Sequence, residues 1–169
     1  NNIYSITVPV SRQDWIATTN QNQPLQTVAN RRFGATSYRS VVPVNGDLFY
    51  RTMEPGIRSL SVALRDFQQW GNTPISTNVK RIIGGDDRNL LRYATGMSFD
   101  NRLWQGCQPI DIPGVGAGFR AAAILDFNLV SSFEDKLTGR AIPAWEGGFE
   151  GLLVLQFLVG DFGGRERAF

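Results

Sequence analysis

The chain has 169 residues, 42 % of them hydrophobic and 19 % charged, with 17 basic and 15 acidic side chains and no histidine. This length suits one ordinary domain with a real core, and the composition is neither that of a disordered chain nor that of a membrane protein. Without imidazole the commonest general base, triad member and metal ligand are missing, which argues against most hydrolase and metal-enzyme chemistry, zinc sites included.

The basic residues are 15 arginines and two lysines, spread singly along the chain. No basic stripe follows from this, so strong nucleic-acid binding is not expected. The arginine excess fits a GC-rich genome, or guanidinium groups used at protein interfaces. Cys107 is the one cysteine, which forbids an intrachain disulfide. With no histidine to activate it, it reads as a small buried thiol. The start "NNIYSITVPV" has no basic segment leading into an apolar signal core, and no apolar run approaches the roughly 18 residues of a membrane span. A mature, soluble body is expected.

In chain order, "IYSITVPV" alternates with Tyr4, Ile6, Val8 and Val10 on one face and predicts a first strand. Residues 15–32 are rich in Asn, Gln and Thr and read as a surface excursion, with "LQTVA" able to pair with a sheet. Two extended runs, "YRSVVPV" and "DLFYRTM", flank Asn45-Gly46, a strong two-residue hairpin signal. In "GIRSLSVALRDFQQWG" the residues Ile57, Leu60, Leu64 and Phe67 recur at helical spacing and Gly71 stands where a C-terminal cap would. The same run also suits a strand through Leu60, Val62 and Leu64. Strand signals resume at "ISTNVKRII" and, after "GGDDRN", at "LLRYATGMSF", a second hairpin candidate.

The segment "IPGVGAGFRAAAILDFNLV" places Gly114, Gly116 and Gly118 before an apolar run. A dinucleotide loop needs its third glycine one residue later, with a strand before it and a helix after it. Here Pro109 and Pro113 precede, and Phe119, Ala121, Ala123, Leu125, Phe127 and Leu129 alternate after, although the three alanines also suit a helix. The glycines therefore read as a turn into a long strand. The last run, "FEGLLVLQFLV", is apolar on both faces, which places it between two layers or beneath a partner subunit. The tail "GDFGGRERAF" has too little apolar content to fold alone and reads as an arm.

Three constellations touch on chemistry. Gly85-Asp86-Asp87 has the local look of a polymerase metal hairpin, but it reads as a polar turn, because such enzymes need a longer chain and further aspartates; calcium ligation by Asp86, Asp87 and Asn89 lacks the twelve-residue loop spacing. Glu146 and Glu150 beside Trp145 have the residue types of a glycosidase pair, yet sit among glycines. Trp15, Trp70, Trp104 and Trp145 show no repeat spacing.

About eight strands, one helix and no βαβ alternation predict an all-β sandwich, specifically an eight-stranded jelly roll with one short inserted helix, over 1–160, followed by a tail at 161–169. In this pattern, rather than in any signature residue, the chain resembles the viral single jelly-roll capsid proteins. With no basic N-terminal arm it is more similar to the small major capsid proteins of tailless icosahedral double-stranded DNA phages with an internal membrane. The resemblance covers 3–160 and implies a non-enzymatic coat protein of the virion, assembled in the host cytoplasm, with no cofactor. Its implied partners are copies of itself, a second, larger capsid protein and the internal viral membrane. The interface candidates are the Arg31, Arg32, Phe33 corner, the first strand, and Asp161, Phe162, Arg165, Arg167 and Phe169 of the tail. The alternative reading is a carbohydrate-binding module or lectin on the same sandwich, which needs exposed tryptophans in a groove.

Overall fold

The computed structural model describes residues 3–6, 26–30, 33–54, 56–65, 74–129 and 144–169. The chain divides into two compact units, Asn1–Gly34 and Ala35–Phe169. In the first, β1 (Ile3–Ile6) pairs antiparallel with β2 (Gln26–Asn30), so the "LQTVA" run does join a sheet.

The second unit is mostly β. A three-stranded antiparallel sheet is formed by β3 (Val42–Val44), β4 (Asp47–Arg51) and β5 (Ile57–Ser59). A four-stranded one is formed by β6 (Gly96–Phe99), β7 (Arg102–Ile112), β8 (Gly116–Asp126) and β9 (Trp145–Val154), paired in chain order. Two short strands, β10 (Val159–Asp161) and β11 (Glu166–Ala168), make a C-terminal hairpin.

The two larger sheets bury one core. Val42, Val44, Phe49 and Ile57 from the first meet Leu103, Cys107, Ala121, Ala123 and Leu125 from the second, closed by Val79 and Ile83. Alternation explains the choice of residues: in β8 the odd positions 121, 123 and 125 face this core, while Ala122 faces the opposite side with Met97 and Phe157. On that outer side the chain after β9 crosses the sheet, and Val154, Trp104, Phe99 and Ala168 pack around Phe157. The alternation read in the glycine-led segment is therefore a strand, and the stretch before it is a turn: the Val115 N–H donates to the Ile112 carbonyl, and Gly114 and Gly116 have φ of 78° and 113°. Pro109 nevertheless lies inside β7, opposite Phe119 of its antiparallel neighbour.

The Asn45-Gly46 hairpin forms as expected, with φ of 49° and 78° at its two corner residues. A second turn of the same hand, Asp100-Asn101 at φ 52° and 53°, joins β6 to β7 without a glycine. Its neighbour supplies support: Asn45 Nδ2 donates to Asn101 Oδ1 at 2.9 Å, and Asn101 Nδ2 donates to Asn128 Oδ1 at 2.6 Å.

Several expected elements differ. The run from Ile57 is both strand and helix, because Ile57, Arg58 and Ser59 pair with β4 before α1 (Leu60–Arg65) begins. Ser59 Oγ accepts the Val62 N–H and Asp47 Oδ1 accepts the Ser61 N–H, so a side-chain cap starts the helix at the end of the strand. Phe67 and Gly71 lie outside the described residues. "ISTNVKRII" is a 3₁₀ turn, Thr77–Val79, followed by α2 (Lys80–Ile83), since Val79 and Ile83, four apart, are the pair that reaches the core. In "LLRYATGMSF" only Gly96–Phe99 is strand; Leu91–Tyr93 is another 3₁₀ turn that buries Leu91. The expected hairpin between these runs is thus a chain of tight turns. The boundary expected at 160/161 falls inside the β10–β11 hairpin, where Leu158 and Phe169 exchange two backbone hydrogen bonds of 2.9 and 2.8 Å. The eight-stranded roll is a finer arrangement than these pairings, in which every neighbour in a sheet is also the neighbour in the chain.

Candidate interaction surface

β9 begins at Trp145, whose Nε1 donates to the Ile75 carbonyl at 3.1 Å and anchors the strand to the core side. After a register shift at Trp145/Gly147, β9 pairs regularly with β8 from Gly147 to Glu150, Glu150 opposite Ala121, but the next registered pair is Val154 with Phe119. Residues 151–153 thus stand against Arg120 alone, two more than regular pairing allows, and Gly151 at φ 82° supplies the backbone conformation the bulge needs. Leu152 and Leu153 ride on this bulge, and Leu153 is 63 % exposed. Phe149, also exposed, stacks on Trp104 with ring centroids 6.3 Å apart, and Trp104 in turn meets the buried Phe157 at 6.4 Å.

The apolar character continues past the strand. Leu155, Leu158 and Val159 are exposed, and in the hairpin the rings of Phe162 and Phe169 meet edge to face at 4.9 Å while both remain more than half exposed. Eight of the 15 exposed large hydrophobic side chains among the described residues thus lie in 149–169. Isolated exposed apolar residues are ordinary, whereas a concentration of this kind marks a contact surface. Charges of both signs rim it: Asp161, Arg165, Glu166 and Arg167 are all exposed. On its outer edge β9 has no partner strand among the described residues. The register shifts at 125/124 and 121/119, with Glu146 and Glu150 on the strand, make that edge irregular.

Of the residues singled out from sequence, Asp161, Phe162, Arg165, Arg167 and Phe169 come together in this hairpin, all exposed. Arg31 and Arg32 lie outside the described residues, and Phe33 is half-buried. Phe149, Leu152, Leu153, Leu155 and Leu158 were legible only as two apolar faces of a strand. The structure exposes them instead of layering them, and β9 is an outermost strand of its sheet.

The other constellations are engaged in structural contacts. Glu146 accepts from Arg102 Nε at 2.8 Å, while Glu150 meets Gln108 Nε2 at 3.4 Å, so the two carboxylates serve different partners. Arg102 also contacts Asp126 at 3.2 Å and Asp100; the hydrogen bond to Glu146 and these acids raise its pKa. A cation therefore already occupies the middle of this acidic cluster, and no metal-binding group of three or more such side chains occurs among the described residues. Asp86 turns inward to an ion pair with Arg51 and accepts the Gln108 N–H at 2.6 Å, and Asp87 Oδ1 accepts the Asn89 N–H at 2.9 Å. Asp87 is thus the polar turn residue expected, whereas Asp86 departs from that reading as a buried acid paired with Arg51. Cys107 is fully buried, and burial pushes its thiol pKa up. Trp104 and Trp145 serve opposite faces of the four-stranded sheet, while Trp15 and Trp70 lie outside the described residues. No helix among the described residues is long and apolar enough to cross a membrane. Compared with known proteins, the chain matches no family model, no curated protein and no solved structure.

Proposed function

We propose that the protein is a structural coat subunit, one that self-assembles into an icosahedral virus shell and works by repeated surface contacts rather than by catalysis. The observation that supports this is the run of exposed leucine and phenylalanine side chains over 149–169, rimmed by two acids and two bases. A surface that must meet an identical surface needs both signs of charge around an apolar centre. In this reading the chain resides in the virion, beside a second, larger capsid protein and near an internal membrane. On the same reading the β-sheets belong to an eight-stranded sandwich of jelly-roll kind.

Light scattering behind a sizing column, across protein concentration and salt, tests the assembly reading. Discrete oligomers or shell-like particles that dissolve when Leu153, Leu158, Phe162 and Phe169 are together replaced by Gln or Ser are the expected result. A strict monomer under every condition overturns self-assembly.

A further inference from the structure

We propose that the face formed by residues 77–93, together with Tyr38 and Arg39, binds single-stranded nucleic acid. Over the whole chain the net charge is only +2, and "KRIIGGDDRNLLRY" reads as a mixture of both signs. The fold separates them. Asp86 is drawn inside, where its carboxylate meets the equally buried Arg51, so neither charge of that pair reaches the surface. Val79, Ile83 and Leu91 pin the segment to the core, which leaves Lys80, Arg81, Arg88 and Arg92 pointing outward. None of these four cations makes an ion pair among the described residues; within 77–93 Asp87 is the one exposed acid, and the exposed Glu150 stands beside the segment through Gln108, which packs on Gly85. Four cations against two acids in the sequence become four against one, Asp87, on the surface of this run.

The second observation is aromatic. The Arg92 guanidinium lies over the Tyr93 ring at 4.8 Å, and Arg39 lies over Tyr38 at 5.5 Å; the tyrosines are 44 % and 80 % exposed. Both pairs are brought to the start of β6: Tyr93 precedes Gly96 by three residues, and Gln105, the partner of Gly96, donates through Nε2 to the Ser40 carbonyl at 3.0 Å. Exposed rings offer stacking faces to unpaired bases while cations beside them take phosphates, a combination that suits a single strand and gives little to a duplex, whose bases are already stacked. An anionic lipid surface is a poorer fit, because Val79, Ile83 and Leu91, which would have to insert, are buried.

The test is the fluorescence anisotropy of a labelled oligothymidylate of about 16 nucleotides, titrated with the full chain at increasing NaCl. Weak binding, at about 10⁻⁴ to 10⁻⁶ M near physiological salt, is expected, with a log–log salt slope that shrinks by about 0.7 for each contacting cation removed in Lys80→Gln/Arg81→Gln and Arg88→Gln/Arg92→Gln. Arg88→Lys/Arg92→Lys retains the slope, Arg165→Gln/Arg167→Gln leaves it unchanged, and Tyr38→Ala or Tyr93→Ala each weakens binding about fivefold or more. No binding at the lowest salt overturns the proposal, as do Gln variants with an unchanged slope, silent tyrosine variants, or capture by phosphatidylglycerol vesicles without capture of the oligonucleotide. None of the substituted residues apart from the Arg165/Arg167 control lies in 149–169, so the result is independent of the assembly reading.

Discussion

Arg51 of β4 and Asp86 of the turn before β6 form an ion pair in which both side chains are wholly buried, and Asp86 also accepts the Gln108 N–H of β7. One carboxylate therefore ties a strand of the three-stranded sheet to a strand of the four-stranded one. Burial lowers the Arg51 pKa, with the nearby Cys107 thiol opposing the shift. Asp86→Ala leaves that cation unpaired and is expected to destabilise the fold by about 3–5 kcal/mol, whereas the double change Arg51→Met/Asp86→Leu recovers most of the loss. Urea unfolding of the three proteins measures this; a double variant no better than Asp86→Ala contradicts the account.

Cys107 supplies a pH dependence. Its folded thiol pKa is raised above the ordinary 9.0 by burial, which outweighs the nearby Arg51 charge. The unfolded chain loses this proton first, so above about pH 9 unfolding releases a proton and stability falls as pH rises. Below that range the thiol is neutral in both states and contributes nothing. Thermal melts between pH 8 and 10 should show a decline that is smaller in Cys107→Ala, and the folded thiol should resist alkylation at pH 8. Fast alkylation of the native protein would show that the site is open.

Phe157 holds the C-terminal crossing on the outer face, packed with Met97, Ala122 and Trp104. Phe157→Ala is expected to cost about 3–5 kcal/mol and to free the segment after β9. Limited proteolysis should then cut near 155–160, with a change in Trp104 emission. Unchanged protease resistance would mean that the β10–β11 hairpin docks without this anchor.

The exposed leucines make the opposite prediction. Leu153→Gln and Leu158→Gln change the stability of the isolated subunit by no more than about 0.5 kcal/mol, as surface substitutions do. Their effect belongs to association, read as a shift of the oligomer-forming concentration in sedimentation velocity. A large loss in melting temperature with unaltered association would make them packing residues.

Gly46 sits at φ 78° with open space around its Cβ position, so Gly46→Ala meets backbone strain and no clash. A cost of about 1 kcal/mol in urea unfolding is expected. A neutral result would show that the turn relaxes to another type.

Period-two alternation was enough to place β8, the Asn45-Gly46 signature enough to place its hairpin, and the spacing of Gly114, Gly116 and Gly118 enough to reject a phosphate loop, because each of these depends on neighbours within a few residues. The apolar run over 149–159 and the two tail phenylalanines were equally plain, so half of the candidate surface was legible as composition. Partners distant in sequence decided the rest. Ser59 ends a strand and caps a helix because β4 lies on one side and Val62 on the other. Residues 75–93 became turns instead of strands because Val79, Ile83 and Leu91 had to reach the interior. β9 lies at a sheet edge with its leucines exposed, and no period in the sequence records which strand is outermost. The clearest case is Asp86: as a letter beside Asp87 and Arg88 it is a solvated turn residue. Only the arrival of Arg51, 35 residues earlier in the chain, makes it a buried acid and leaves the face around it basic.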